Sequence, residues 1–105
     1  MRAGGFDHTW VLKKGDGVLA PAAEVEERVS GRRMTVLTSQ PGLHFYSANS
    51  FDAVVGRGGV YRRHGCFALE AQHFADSPNR SEFPSTLLTP DRQFRQTTIY
   101  RFSLC

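Results

Sequence analysis

Residues 22–38 read Ala22-Ala23-Glu24-Val25-Glu26-Glu27-Arg28-Val29-Ser30-Gly31-Arg32-Arg33-Met34-Thr35-Val36-Leu37-Thr38. Ala23, Val25, Glu27 and Val29 alternate with Ala22, Glu24, Glu26 and Arg28, giving one apolar-leaning face and one charged face. A period of two is the strand period, because successive side chains leave a strand on opposite sides. The Ala and Glu content of 22–28 would suit a helix. The alternation and the Ser30-Gly31 turn signal favour a strand, with Arg33 to Thr38 as the return arm of a hairpin.

The rest of the chain carries the same punctuation. Pro41-Gly42 marks a turn, and Leu43 to Tyr46 a short apolar strand. Gly56, Gly58 and Gly59 mark a flexible loop ahead of Val60-Tyr61. Phe67 to Gln72 reads as a strand carrying Glu70, with Cys66 in the same apolar segment. Asp76 to Pro84, with its Asp, Ser, Asn and two Pro, reads as a long ordered loop. Thr86 to Leu88 reads as a further short strand ended by Pro90-Asp91. In the tail from Gln96 to Leu104, Thr98, Tyr100, Phe102 and Leu104 face one way and Thr97, Ile99, Arg101 and Ser103 the other. The pattern predicts an all-β, antiparallel fold.

The totals bound the function. At 105 residues the chain makes a single domain, 1–105, and 40% hydrophobic residues with eight Phe support a packed core. The net charge of +3 comes largely from scattered arginines, whereas a nucleic-acid surface needs denser clustering, so no nucleic-acid partner is expected. A small basic nucleic-acid-binding β-domain is the weakest alternative. There is no apolar run long enough to span a bilayer and no signal-peptide pattern, which predicts a cytoplasmic protein without a membrane partner. Cys66 and Cys105 do not resemble a disulfide framework, and Cys66 reads as a small hydrophobe. His64 and His73 lack a Cys or carboxylate at ligand spacing, so no metal site is expected.

Glu70 stands alone between Leu69 and Ala71, with Gln72 and His73 beside it. Local pattern leaves three readings: an exposed strand-end carboxylate, one paired with an arginine, or a base desolvated by its apolar neighbours. Desolvation would raise its proton affinity, as base work near neutral pH requires. Gln72, two residues on, shares its strand face. Asp7 follows Gly4-Gly5 and reads locally as a turn or cap residue. In a strand, His8 would point away from Asp7.

Three blocks decide between these readings. Gly5-Phe6-Asp7-His8-Thr9-Trp10-Val11-Leu12 comes first, then Leu37-Thr38-Ser39-Gln40-Pro41-Gly42-Leu43-His44-Phe45-Tyr46-Ser47-Ala48-Asn49, then Gly65 to Asn79 with Phe83-Pro84-Ser85-Thr86 and Thr97 to Phe102. In this order and spacing they resemble the C-terminal portion of the aldose 1-epimerase (galactose mutarotase) family. The resemblance implies a galactose-mutarotase-like antiparallel β-sandwich, of which these residues form about the last third. It implies interconversion of the α and β anomers of aldohexoses such as galactose and glucose by general acid–base ring opening, without a cofactor.

Glu70 then takes the place of the catalytic base, and Asp7 that of a carboxylate accepting sugar hydroxyls. His44 lines the sugar cleft where members often carry Gln, and Gln72 orients Glu70. Trp10 or Phe45 would stack on the sugar ring. The family's acid histidine, a second sugar-contacting histidine and an arginine precede this region and match nothing here. The resemblance thus points to an upstream portion or a second copy as partner. Rival readings are a non-catalytic carbohydrate-binding module and a sugar-phosphate epimerase relative, for which Arg62-Arg63 would be the phosphate contact.

Overall fold

The structure, a computed structural model, describes residues 4–104. Strands among them are β1 (Asp7–Val11), β2 (Ala20–Glu27), β3 (Arg32–Thr38), β4 (Gly42–Tyr46), β5 (Val54–Gly56), β6 (Gly59–Tyr61), β7 (Ala68–Gln72) and β8 (Thr98–Leu104). All pairings are antiparallel. The first sheet runs β1-β4-β7, the second β2-β3-β8, and β5-β6 is a separate hairpin. The fold is an all-β antiparallel sandwich. No helix among the described residues is long and apolar enough to cross a membrane.

The alternation in 22–38 does become a hairpin, and charge supports its register. Glu26 pairs with Arg33 and Glu27 with Arg32 across the two strands. Arg33 Nη2 lies 3.3 Å from Glu26 Oε2. On the solvent face such a pair contributes only a few tenths of a kcal/mol. The turn begins earlier than the alternation suggests. β2 stops at Glu27, and Val29 is 97% exposed. The cause is local: the Glu27 carboxylate accepts hydrogen bonds from the N–H groups of Val29 and Ser30, both at 2.8 Å. Gly31, with φ 70°, supplies the left-handed step that closes the turn. Glycine takes that conformation without steric cost.

β3 is the middle strand of the second sheet. Val36 sits opposite Tyr100 and is fully buried. Burial of a side chain of this size contributes roughly 1.5–3 kcal/mol. On the same face Thr38 is also fully buried, its hydroxyl bonded to that of Thr98 at 3.0 Å. The Tyr100 hydroxyl donates to the Leu69 carbonyl at 3.2 Å, joining β8 to β7 and the second sheet to the first. Only Ser39, Gln40 and Pro41 separate β3 from β4, so the chain passes directly from one sheet into the other.

Three expectations are corrected. The glycine-rich stretch 56–59 is the two-residue turn of the β5-β6 hairpin rather than a flexible loop. Tyr61 lies over two of its glycines, a Cβ on Gly56 or Gly58 coming within 2.6 Å of that side chain, while Gly59 has open space around it and a φ of 122°. Thr86 to Leu88 is not a strand. It finds no partner strand between Pro84 and Pro90, and Leu87 and Leu88 are exposed. Cys66 lies ahead of β7, half-buried, while Cys105 lies outside the described residues. The 76–84 loop is ordered by a 3-10 turn at Ser77–Asn79, with Asp76 accepting from Asn79 Nδ2 and Arg80 Nε.

Hydrogen bonding from the Ser30 side chain, then from the Val29 and Ser30 N–H groups, holds the Glu27 carboxyl below its ordinary value of 4.5. The unfolded chain therefore binds this proton more readily than the folded one. Its stabilisation is present above the ordinary value and lost as pH falls through the lowered one. Glu27→Gln should lower the urea midpoint at pH about 7, and the gap to wild type should close at pH about 2–3. A gap of equal size at both pH values would contradict this role for the turn.

Candidate functional site

The register of the first sheet sorts its side chains. Asp7 pairs with Tyr46 and Thr9 with His44 across β1 and β4. His44 pairs in turn with Glu70, and Gly42 with Gln72, across β4 and β7. Residues directly opposite in an antiparallel pair share a face. One face therefore carries Asp7, Thr9, His44, Tyr46, Glu70 and Gln72, and the other His8, Trp10, Leu43, Phe45, Leu69 and Ala71. The second of these is the apolar side, packed at β4 and β7 and open at the β1 edge, where Trp10 is 56% exposed. Leu43 is 3% exposed there, and Phe45 packs its ring between those of Phe6 and Phe67.

On the polar face a shallow, open cavity of about 410 Å³ is lined by Asp7, His44, Tyr46, Glu70 and Gln72. Four residues singled out in the sequence, more than sixty positions apart at the extremes, thus meet around one depression. His44 is the centre of a hydrogen-bonded chain. Its Nε2 lies 2.9 Å from Asp7 Oδ1 and its Nδ1 2.8 Å from Thr9 Oγ1. Glu70 makes no hydrogen bond or ion pair with the described residues, which leaves its carboxylate available at the cavity. The Tyr46 hydroxyl bonds the Ser50 hydroxyl at 2.7 Å and accepts from the Ser50 N–H at 3.1 Å, tying the 47–50 turn to the rim.

Several expectations do not survive this geometry. Leu69 and Ala71 cannot desolvate Glu70, since alternation sends them to the apolar side, and Glu70 is exposed. Trp10 and Phe45 are on the opposite face of the sheet, so neither can stack on a ligand at the cavity; Tyr46 is the aromatic that faces it. Arg62 and Arg63 do not line the cavity, and Arg63 instead donates to the Gly4 carbonyl at 3.1 Å. His8 does point away from the Asp7 side chain.

The other histidines serve elsewhere. His64 Nδ1 bonds the Ser47 carbonyl at 2.8 Å, and His73 Nε2 lies 3.5 Å from Asp16 beside a different cavity. Among the described residues, no three His, Cys, Asp or Glu side chains gather as a metal-holding group. Sequence reasoning misses Tyr46 and Thr9, although counting by twos from His44 and from Asp7 reaches both.

The family model described as aldose 1-epimerase matches residues 1–101. The chain belongs to the aldose 1-epimerase family. Among its curated relatives, galactose mutarotase of Homo sapiens is 39% identical over 102 residues, which are 95% of this chain and 30% of that protein. Galactose mutarotase of Bos taurus is 39% identical over the same shares. Aldose 1-epimerase of Escherichia coli (strain K12) is 35% identical over 104 residues, 93% of this chain and 29% of that protein. The chain thus spans about 30% of the length of the relatives it matches.

Gly42 holds the polar face together at its far end. A Cβ there would meet Thr9 Cγ2 at 2.9 Å, Phe74 Cε1 at 3.0 Å and the Gln72 carbonyl at 3.1 Å. One of those neighbours is backbone, so the crowding cannot be relieved by side-chain rotation alone. Gly42→Ala should cost about 1–3 kcal/mol, the usual range for overpacking, read from urea denaturation. An unchanged midpoint would show that β1 and β7 are not fixed against β4 as described.

Proposed function

We propose that the polar face of the first sheet is the floor of an aldohexose site and that the protein interconverts sugar anomers. Ring opening needs a base for the proton of the anomeric hydroxyl and an acid for the ring oxygen. Opening gives the free aldehyde, whose carbonyl end rotates before the ring closes as the other anomer. No organic cofactor is called for.

Glu70 is the base. Its carboxylate faces the cavity without a protein partner among the described residues, so a sugar hydroxyl can become that partner. Asp7 accepts hydroxyl hydrogen bonds, which an ionised carboxylate does with fixed geometry. His44 orients the Asp7 carboxylate, whereas Gln72, expected to orient Glu70, shares the lining with it without a hydrogen bond to it. Membership of the aldose 1-epimerase family supports this reading, as do relatives named galactose mutarotase. Galactose or glucose is the substrate proposed.

The acid is assigned outside these residues, to an upstream portion of the protein or a second copy of the chain. The observation that carries the proposal is the convergence of Glu70 and Asp7 on one cavity with His44 between them. The exposure of Glu70 favours a second reading, a face that binds carbohydrate without catalysis, since the carboxylate lies open to water.

Polarimetry separates the two readings. Freshly dissolved α-D-galactose should reach its equilibrium rotation faster with the purified protein, and Glu70→Gln should abolish the acceleration. A positioned acid–base group typically contributes about 10²–10⁴-fold, so the loss should be complete on this scale. Acceleration retained in the variant would overturn the role of Glu70. Galactose binding without acceleration by folded wild-type protein would replace the enzyme reading with the binding one.

A further inference from the structure

The imidazole of His44 has both nitrogens engaged, and the chemistry of its two partners fixes which does what. Asp7 Oδ1 lies 2.9 Å from His44 Nε2. An ionised carboxylate only accepts hydrogen bonds, so this contact requires the proton on Nε2. In the neutral ring Nδ1 is then a bare acceptor. The Thr9 hydroxyl, 2.8 Å away, is its donor. Thr9 and His44 are cross-strand partners, so their contact is set by the β1-β4 register. Asp7 is two residues from Thr9 on the same strand face, within reach of the far side of the ring. The other side chains on this face around His44 are Glu70 and Gln72 from β7 and Tyr46 along its own strand.

We propose that Thr9 is a positioning residue for the sugar site. Donating to His44 Nδ1, it holds the imidazole in the Nε2–H form, and His44 in turn fixes the orientation of the Asp7 carboxylate. Oδ1 of Asp7 is taken by His44. Oδ2 has no hydrogen-bond partner among the described residues and is the oxygen presented to a sugar hydroxyl. Without the Thr9 hydroxyl, Nδ1 loses its donor, and the ring is free to take the other tautomer. That tautomer turns a lone pair toward Asp7, and the carboxylate is no longer held. This inference rests on the sugar-site reading above for its consequence, though not for the hydrogen-bond chain itself.

The test pairs Thr9→Val, which keeps the shape and removes the hydroxyl, with Thr9→Ser, which keeps the hydroxyl. Long-range proton–nitrogen NMR spectra of the His44 ring at neutral pH should show protonated Nε2 and bare Nδ1 in wild type and Thr9→Ser. They should show loss of that pattern in Thr9→Val. Galactose Kd should rise roughly 3- to 10-fold in Thr9→Val, the size of one lost hydrogen bond, and return toward wild type in Thr9→Ser.

A wild-type ring protonated on Nδ1, or an unchanged ring and Kd in Thr9→Val, would overturn the proposal. Should Thr9→Val fail to fold, the wild-type tautomer and the Thr9→Ser affinity still decide it. Wild-type protein that shows the Nε2–H form yet binds no galactose would overturn the sugar-site reading and with it the role of Thr9. The hydrogen-bond chain would stand.

Discussion

The antiparallel pairing of β4 with β1 on one side and β7 on the other is the constraint on which the site depends. It places Thr9, His44 and Glu70 in one row and Asp7 and Tyr46 in the next. Because side chains alternate with a period of two, a one-residue slip would exchange the faces. Leu43, Phe45 and Leu69 would then meet water, while His44 and Glu70 would enter the core. Burial of Leu43 works against that slip, as does the three-residue link that ties β4 to the fully buried end of β3. Gly42 adds a steric condition, since only a residue without a side chain fits beneath Thr9 and Phe74.

Core packing therefore positions the chemistry. Val36 and Thr38 anchor the second sheet, and the Tyr100 hydroxyl fastens it to the backbone of β7 at Leu69. Leu69 is the residue immediately before Glu70. The carboxylate is thus carried on a strand whose backbone is bonded to β4 on one side and clamped by Tyr100. Sites on strands are held more tightly than sites on loops, and among the lining residues Tyr46 has a direct tie to a turn.

What the sequence makes legible follows the same physics. Alternation at 22–27 and 98–104 is enough to find strands, because period two is a local signal. The family blocks bring Asp7, His44, Glu70 and Gln72 forward as site residues, and the register places all four on one face. What local pattern cannot convey is environment. Leu69 and Ala71 flank Glu70 in sequence, yet alternation removes them from it in space, so desolvation by chain neighbours misreads strand geometry. Trp10 and Phe45 fail as stacking residues for the same reason. Gly56 and Gly58 look flexible in sequence because their partner, Tyr61, acts through space. The short Thr86–Leu88 run has strand composition but no neighbouring strand to complete it.

On the proposed reading, the polar face of the first sheet, and not its apolar side or another cavity, receives the sugar. Aromatic ring signals report on it directly, because Tyr46 and His44 lie on that face and Trp10 and Phe45 on the other. In an NMR titration with galactose, the His44 and Tyr46 ring signals should move together while those of Trp10 and Phe45 stay still. Shifts centred on Trp10 and Phe45, or on His73 in the cavity beside Asp16, would contradict it.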